Sequence, residues 1–188
     1  RRGMIALRSG ARPGDLVAVT GKFGNTLAGL KVLSSEVEIP QPLKETLLTS
    51  VYNPKARLRE GVSLARTRAV TASIDSSDGL AWSLYEIARA SSVGIELDDL
   101  PISSAAASYA RLTGLDPVDL ALYGGEEFEL VVSLKRNSAR RALNAVRSLR
   151  VVGRVTRDTG TVTLSQDGKR TFVKPIGWEH LTSNTSRP

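Results

Sequence analysis

The sequence predicts an α/β (α+β) domain in which helices cover one mixed sheet. Three observations carry this. Short β-branched or alternating runs interleave along the chain with segments whose apolar residues recur every three to four positions. Two β-like runs late in the chain, 161–164 and 171–173, flank Asp167-Gly168, a hairpin turn by composition. The 188 residues, 41% hydrophobic and 24% charged, suffice for one globular domain with a sizeable core.

Residues 1–9 read as a connecting strand already in progress, with no initiator Met. The chain is therefore expected to continue a longer protein: 1–15 as linker or strand after an absent N-terminal domain, 16–181 as the domain itself, and 182–188 as a polar, disordered tail. A Gly/Pro turn at 10–15 leads into a buried strand, 16–20. A glycine loop, Gly21 to Thr26, precedes an apolar helix at 27–33. Strand, glycine loop and helix is a layout that can cradle phosphate. No Gly-Lys-Ser/Thr stands at Walker spacing, and a plain tight turn reads equally well. Residues 36–42 form a linker, 43–51 a helix stopped by Asn53-Pro54, and 58–66 another helix. A strand at 69–74 runs into a helix whose Leu80, Leu84, Ile87 and Ala88 make one apolar stripe. Strand 93–97 follows, then helices at 103–112, begun by Pro101 and Ser103, and at 117–122. A strand is expected at 128–134, a helix at 138–149 with Ala142, Leu143, Val146 and Leu149 on one face, and a strand at 150–155.

Two junctions hold the chemistry. Asp75, Ser76, Ser77 and Asp78 lie between a strand and a helix N-terminus, where free N–H groups welcome phosphate. Carboxylates beside phosphate suggest Mg²⁺. The same residues also describe an ordinary N-cap. In Tyr123-Gly124-Gly125-Glu126-Glu127, the glycine pair permits close backbone approach beside Glu126, the alternative being a turn with solvated acids. The absence of cysteine excludes disulfides, a thiolate zinc site and a cysteine nucleophile. The lone His180 cannot form a histidine cluster. A net charge of +7 suits nucleic acid, phosphorylated ligands or an acidic partner. The basic residues are scattered and no nucleic-acid-binding signature is present, which argues against nucleic acid. No run approaches the ~18 apolar residues of a membrane span, so no membrane partner is expected. No leader pattern precedes the domain, and a cytoplasmic location is the expectation.

Six segments in register resemble the C-terminal domain of thiamine-monophosphate kinase. They are Arg8-Ser9-Gly10-Ala11-Arg12-Pro13-Gly14-Asp15; Val19-Thr20-Gly21 with Gly24 and Ala28-Gly29-Leu30; Ile74-Asp75-Ser76-Ser77-Asp78-Gly79-Leu80; Gly124-Gly125-Glu126-Glu127-Phe128-Glu129-Leu130; Val152-Gly153-Arg154-Val155; and Gly177-Trp178-Glu179-His180-Leu181. The family sits in an ATP-binding superfamily with aminoimidazole ribonucleotide synthetase, selenophosphate synthetase and a hydrogenase maturation protein, whose glycine and cysteine signatures are not found here. The resemblance implies that superfamily's C-terminal fold, ATP and Mg²⁺ as cofactors, and thiamine monophosphate as phosphoryl acceptor. It implies Asp75 and Asp78 as Mg²⁺ ligands, Ser77 and Arg8 as ATP contacts, and Glu126 and Trp178 as substrate contacts. Without the resemblance, Trp178 reads equally as a core-capping aromatic. No catalytic residue beyond metal and phosphate ligands is assigned. It further implies a homodimer in the full-length protein and an N-terminal domain that supplies most of the metal-binding aspartates, so that this chain alone is expected to be inactive. Three positions depart from the family pattern: Ser76 stands for an aliphatic residue, Asn25 for an acid, and Glu127-Phe128 for Asp-Tyr. The alternatives are another ATP-dependent enzyme of the superfamily, or a basic nucleic-acid-binding domain.

Overall fold

A computed structural model describes residues 5–166 and 168–177. Seven strands form one sheet: β1 (Leu16–Val19), β2 (Val70–Asp75), β3 (Gly94–Leu97), β4 (Leu130–Leu134), β5 (Arg150–Thr156), β6 (Val162–Gln166) and β7 (Lys169–Phe172). Their order is β2-β4-β1-β5-β3-β6-β7. Only β3 and β6 pair in parallel, so the sheet is mixed as expected. The helices are α1 (Asn25–Ser34), α2 (Gln41–Tyr52), α3 (Leu58–Thr67), α4 (Leu80–Ser91), α5 (Ser104–Thr113), α6 (Pro117–Tyr123) and α7 (Ala139–Ala145).

The period of two along each strand sorts side chains onto two faces. Val17, Val19, Ile74 and Val131 face a core closed by Leu80, Leu84 and Ile87 of α4. Ala18, Val132 and Leu134 face a second core closed by Leu64 of α3 and Ala142 of α7. A third cluster joins α1, α2, α5 and α6 through Val32, Leu47, Tyr109 and Leu120. Helices therefore cover both faces, and the apolar stripe read from α4 is the one that is buried.

Several boundaries differ from the sequence expectation by a residue or more, and three of them have a local cause. β4 begins at Leu130 rather than at 128, because Glu126 (φ 61°) and Phe128 (φ 52°) are left-handed and cannot join a ladder. The helix expected at 138–149 is a 3₁₀ turn at Arg136–Ser138 followed by α7, and Val146 is extended. Val146 and Leu149 stay buried in the second core all the same, because their burial depends on the chain's path and not on its helicity. α2 begins at Gln41, two residues early, with Pro42 in its first turn, where the missing N–H costs nothing. Residues 5–9 form no strand, although the Leu7 carbonyl accepts the Ser73 N–H of edge strand β2 at 2.8 Å. Gln166 pairs with Lys169 where the hairpin was expected. Asp167, Trp178, His180 and the tail at 182–188 lie outside the described residues.

Candidate active site

The two junctions lie side by side. β2 ends at Asp75, and the chain reaches α4 through Gly79, whose φ of 102° and ψ of 155° suit glycine alone. A Cβ on Gly79 would come within 3.2 Å of the Gly124 carbonyl oxygen. The ordinary N-cap reading fails here: Gly79 is the N-cap, and no side chain caps α4. Among the described residues, no side chain caps the first amides of α4. Asp75 and Asp78 are exposed, and neither carboxylate makes a hydrogen bond or ion pair with another described residue. Ser83 fixes the geometry from inside α4, its hydroxyl donating to the Asp75 carbonyl at 2.9 Å and the Gly79 carbonyl at 3.0 Å.

Residues 124–129 form a strap across this junction. The Glu126 N–H donates to the Ser77 carbonyl at 2.7 Å, and the Ser76 N–H donates to the Glu129 carbonyl at 2.8 Å. The Ser76 hydroxyl accepts the Glu129 N–H at 3.0 Å. An aliphatic residue at 76 could not accept that bond, so the departure from the family pattern has a structural use. Glu126, remote from the junction in the chain, is thus joined to residues 75–78 through its backbone.

Arg8 is not brought to the junction. It ion-pairs with Glu86 at 3.8 Å, about 9 Å along α4 from its first residue at 1.5 Å per residue. The Gly10 and Ala11 N–H groups donate to Ser91 Oγ at the far end of the same helix. Trp178 lies outside the described residues; Gly177 lies where a Cβ would be 3.1 Å from Trp82 and 3.3 Å from the Asp78 carbonyl oxygen.

The glycine loop before α1 holds a carboxylate of the chain itself. Glu127 Oε1 accepts the Gly24 N–H at 2.7 Å and the Thr26 N–H at 3.2 Å, taking the amides a phosphate would use. Burial pushes the Glu127 carboxyl up to about 7; those two amides and the Thr26 hydroxyl pull it down, and the charge of Glu129 adds to the rise. Glu129 is buried and held by Arg57 in a two-pronged ion pair at 2.7 and 2.6 Å. That hydrogen bond also holds the Arg57 guanidinium above its usual range. Composition and periodicity gave no sign of Arg57, Glu127, Glu129 or Ser76 as organising residues, since their partners are 53 to 103 positions distant.

Two cavities flank the strap. An apolar one of about 430 Å³ lies between Asp75, Leu58, Val62, Phe128 and Leu130. A polar one of about 330 Å³ is lined by Lys22, Asn25, Ser103, Glu127 and Glu129. Arg57 borders both.

The family model described as "AIR synthase related protein, C-terminal domain" matches residues 12–165. Thiamine-monophosphate kinase of Pyrococcus horikoshii is 37% identical over 183 residues, covering 96% of this chain and 55% of that protein. Thiamine-monophosphate kinase of Aquifex aeolicus is 33% identical over 176 residues, covering 93% and 54%. The chain thus spans about half the length of the curated relatives it matches. A solved structure described as "AaThiL complexed with AMPPCP and TMP" superposes with a TM-score of 0.79 at 33% identity, covering 94% of this chain and 54% of that one. The hydrogenase maturation protein HypE shares the fold, with a TM-score of 0.64 at 22% identity.

Proposed function

The chain belongs to the AIR synthase related protein, C-terminal domain family, and we propose that it is the C-terminal part of an ATP-dependent thiamine-monophosphate kinase. One observation supports this reading above the others: hydrogen bonds join residues 75–78, whose Asp75 and Asp78 carboxylates have no partner among the described residues, to the 124–129 segment that carries Glu126. The likeness to thiamine-monophosphate kinases over nearly the whole chain supports it.

The residues fit a divalent cation in part. Asp75 and Asp78 offer hard oxygen donors with no other partner among the described residues, and no cluster of three potential ligands occurs there. Mg²⁺ is the ion that needs only one or two carboxylates when phosphate oxygens and water complete its shell. Bound there, it would neutralise charge on the transferring phosphoryl group. Asp75 and Asp78 would hold it, with further ligands from the preceding domain. The α4 amides and Ser77 bind and orient phosphate oxygens. Glu126 orients the acceptor, its backbone N–H tied to the Ser77 carbonyl. The apolar cavity beside Asp75 is of a size and character that shelters a ring-bearing small molecule. In the reaction the acceptor's phosphate oxygen bonds to the γ-phosphorus of ATP while the bond to the β-phosphate breaks. A phosphate acceptor needs no strong general base.

The reading includes a homodimeric, cytoplasmic full-length enzyme. No helix among the described residues is long and apolar enough to cross a membrane. The test is an assay of the full-length protein with ATP, Mg²⁺ and thiamine monophosphate, with aminoimidazole and selenide substrates as controls. Formation of thiamine diphosphate is expected. Turnover of a control substrate instead would replace this reading with another enzyme of the superfamily.

A further inference from the structure

The Glu129 carboxylate contacts three parts of the chain. Arg57, between α2 and α3, donates from Nε to Oε2 at 2.7 Å and from Nη2 to Oε1 at 2.6 Å. Thr20, just past β1, donates its hydroxyl to Oε2 at 2.6 Å, and that hydroxyl accepts the Leu130 N–H at 2.9 Å. At residue 21 the carboxylate needs empty space, because any Cβ there would overlap it. A flexible glutamate could swing aside. This one cannot do so cheaply, because both its oxygens are held. Glu129 is 8% exposed, and its own backbone makes the two bonds to Ser76, the residue between Asp75 and Ser77. Thr20-Gly21 and the 124–130 segment, two motifs remote in sequence, are thus two halves of one fitting.

We propose that Glu129 is a positioning residue: its clamped carboxylate sets the register of the 124–129 strap over the 75–78 junction, and so the alignment of acceptor with nucleotide. This rests on the phosphoryl-transfer reading above. Each ligand is bound by groups in its own loop, so a shifted strap disturbs their alignment more than the affinity for either. Alignment errors of about 1 Å cost ~100-fold in rate.

The experiment compares Glu129→Gln, Gly21→Ala, Thr20→Val and Thr20→Ser in the full-length protein, well below each variant's melting temperature. Gly21→Ala displaces the same carboxylate without removing a charge. For Glu129→Gln, Gly21→Ala and Thr20→Val, kcat is expected to fall at least about tenfold while KM for ATP and for thiamine monophosphate each stay within about threefold, and Thr20→Ser is expected to restore kcat. Hydrogen exchange, read on peptides covering 124–130, is expected to accelerate in the first three variants and to stay unchanged in α5. A merely structural ion pair would lower the melting temperature and leave kcat of the folded enzyme intact; that result in an active enzyme overturns the proposal. Unchanged exchange at 124–130 also overturns it. A wild-type protein that forms no thiamine diphosphate sinks the kinase reading instead, and the exchange measurement then decides the positioning of the strap on its own.

Discussion

At the scale of single residues, Glu127 has a pH signature. It is a carboxyl whose folded-state value, about 7, lies above its ordinary 4.5. The native state therefore holds a proton that the unfolded state has released. Stability from this group is fully present below about pH 4.5 and is lost as pH rises through about 7. At about 1.36 kcal/mol per pKa unit, the loss approaches ~3 kcal/mol. Glu127→Gln keeps an acceptor for the Gly24 and Thr26 amides but cannot ionise. Urea denaturation should find it less sensitive to pH than the wild type between pH 5 and 8, and more stable at pH 8. Asp75 and Asp78 predict the opposite pattern. Their carboxylates are exposed and make no hydrogen bond or ion pair among the described residues, so Asp75→Asn and Asp78→Asn should change unfolding free energy by no more than about 0.5 kcal/mol. In the full-length protein each should lower thiamine diphosphate formation at least about 100-fold, since charge neutralisation carries phosphoryl transfer. Normal turnover by either variant would remove that aspartate from the site.

At the scale of elements, α1 connects the site to the helical layer. Its N-terminus is capped by Glu127, a residue of the strap, and its body packs on α2. Gly29 makes that packing possible, because a Cβ there would stand 2.5 Å from the Leu47 carbonyl oxygen and 2.6 Å from Val51 Cγ2. Helix propensity alone would make Gly29→Ala stabilising by up to ~1 kcal/mol. Overpacking costs ~1–3 kcal/mol, and the backbone oxygen cannot move without disturbing α2. Gly29→Ala should therefore destabilise by about 1–2 kcal/mol in urea titrations; a stabilised variant would mean that α1 and α2 pack less tightly. The periodic pattern identified α1, α3, α4 and α5 to within about two residues. It overran α7, where only the chain's path, and not its period, explains the burial of Val146 and Leu149.

At the scale of the whole molecule, two cores close on the faces of one sheet, a third joins four helices, and the Asp75 and Asp78 carboxylates stand exposed. The chain should fold by itself, because its core closes without help from another domain. It should also be inactive by itself, since two aspartates cannot complete the coordination of a nucleotide–metal complex. Circular dichroism melting should be cooperative, and an assay of this chain alone should yield no thiamine diphosphate. Measurable turnover would contradict the need for a preceding domain. Arg57, Arg150, Arg154 and Arg170 each pair with an acid, and such pairs cancel, so the net charge of +7 belongs to the remaining basic residues.

The sequence alone specified the alternation of strands and helices, the buried stripe of α4 and the junction 75–78 between strand and helix. These are local: period, turn chemistry and short motifs are set by neighbouring residues. It also singled out Glu126 through a motif, and in the structure that residue's backbone N–H donates to the Ser77 carbonyl. Tertiary structure alone revealed that Glu127 accepts the Gly24 and Thr26 amides at the α1 N-terminus, that Arg8 pairs with Glu86, and that Arg57, Thr20 and Gly21 form the seat of Glu129. Those contacts span 72 to 109 positions for Glu129 and 78 for Arg8. No local propensity encodes such a pairing. It arises when burial of the apolar faces draws the ends of β1, β2 and β4 together, and the polar groups trapped there must find one another or remain buried without partners.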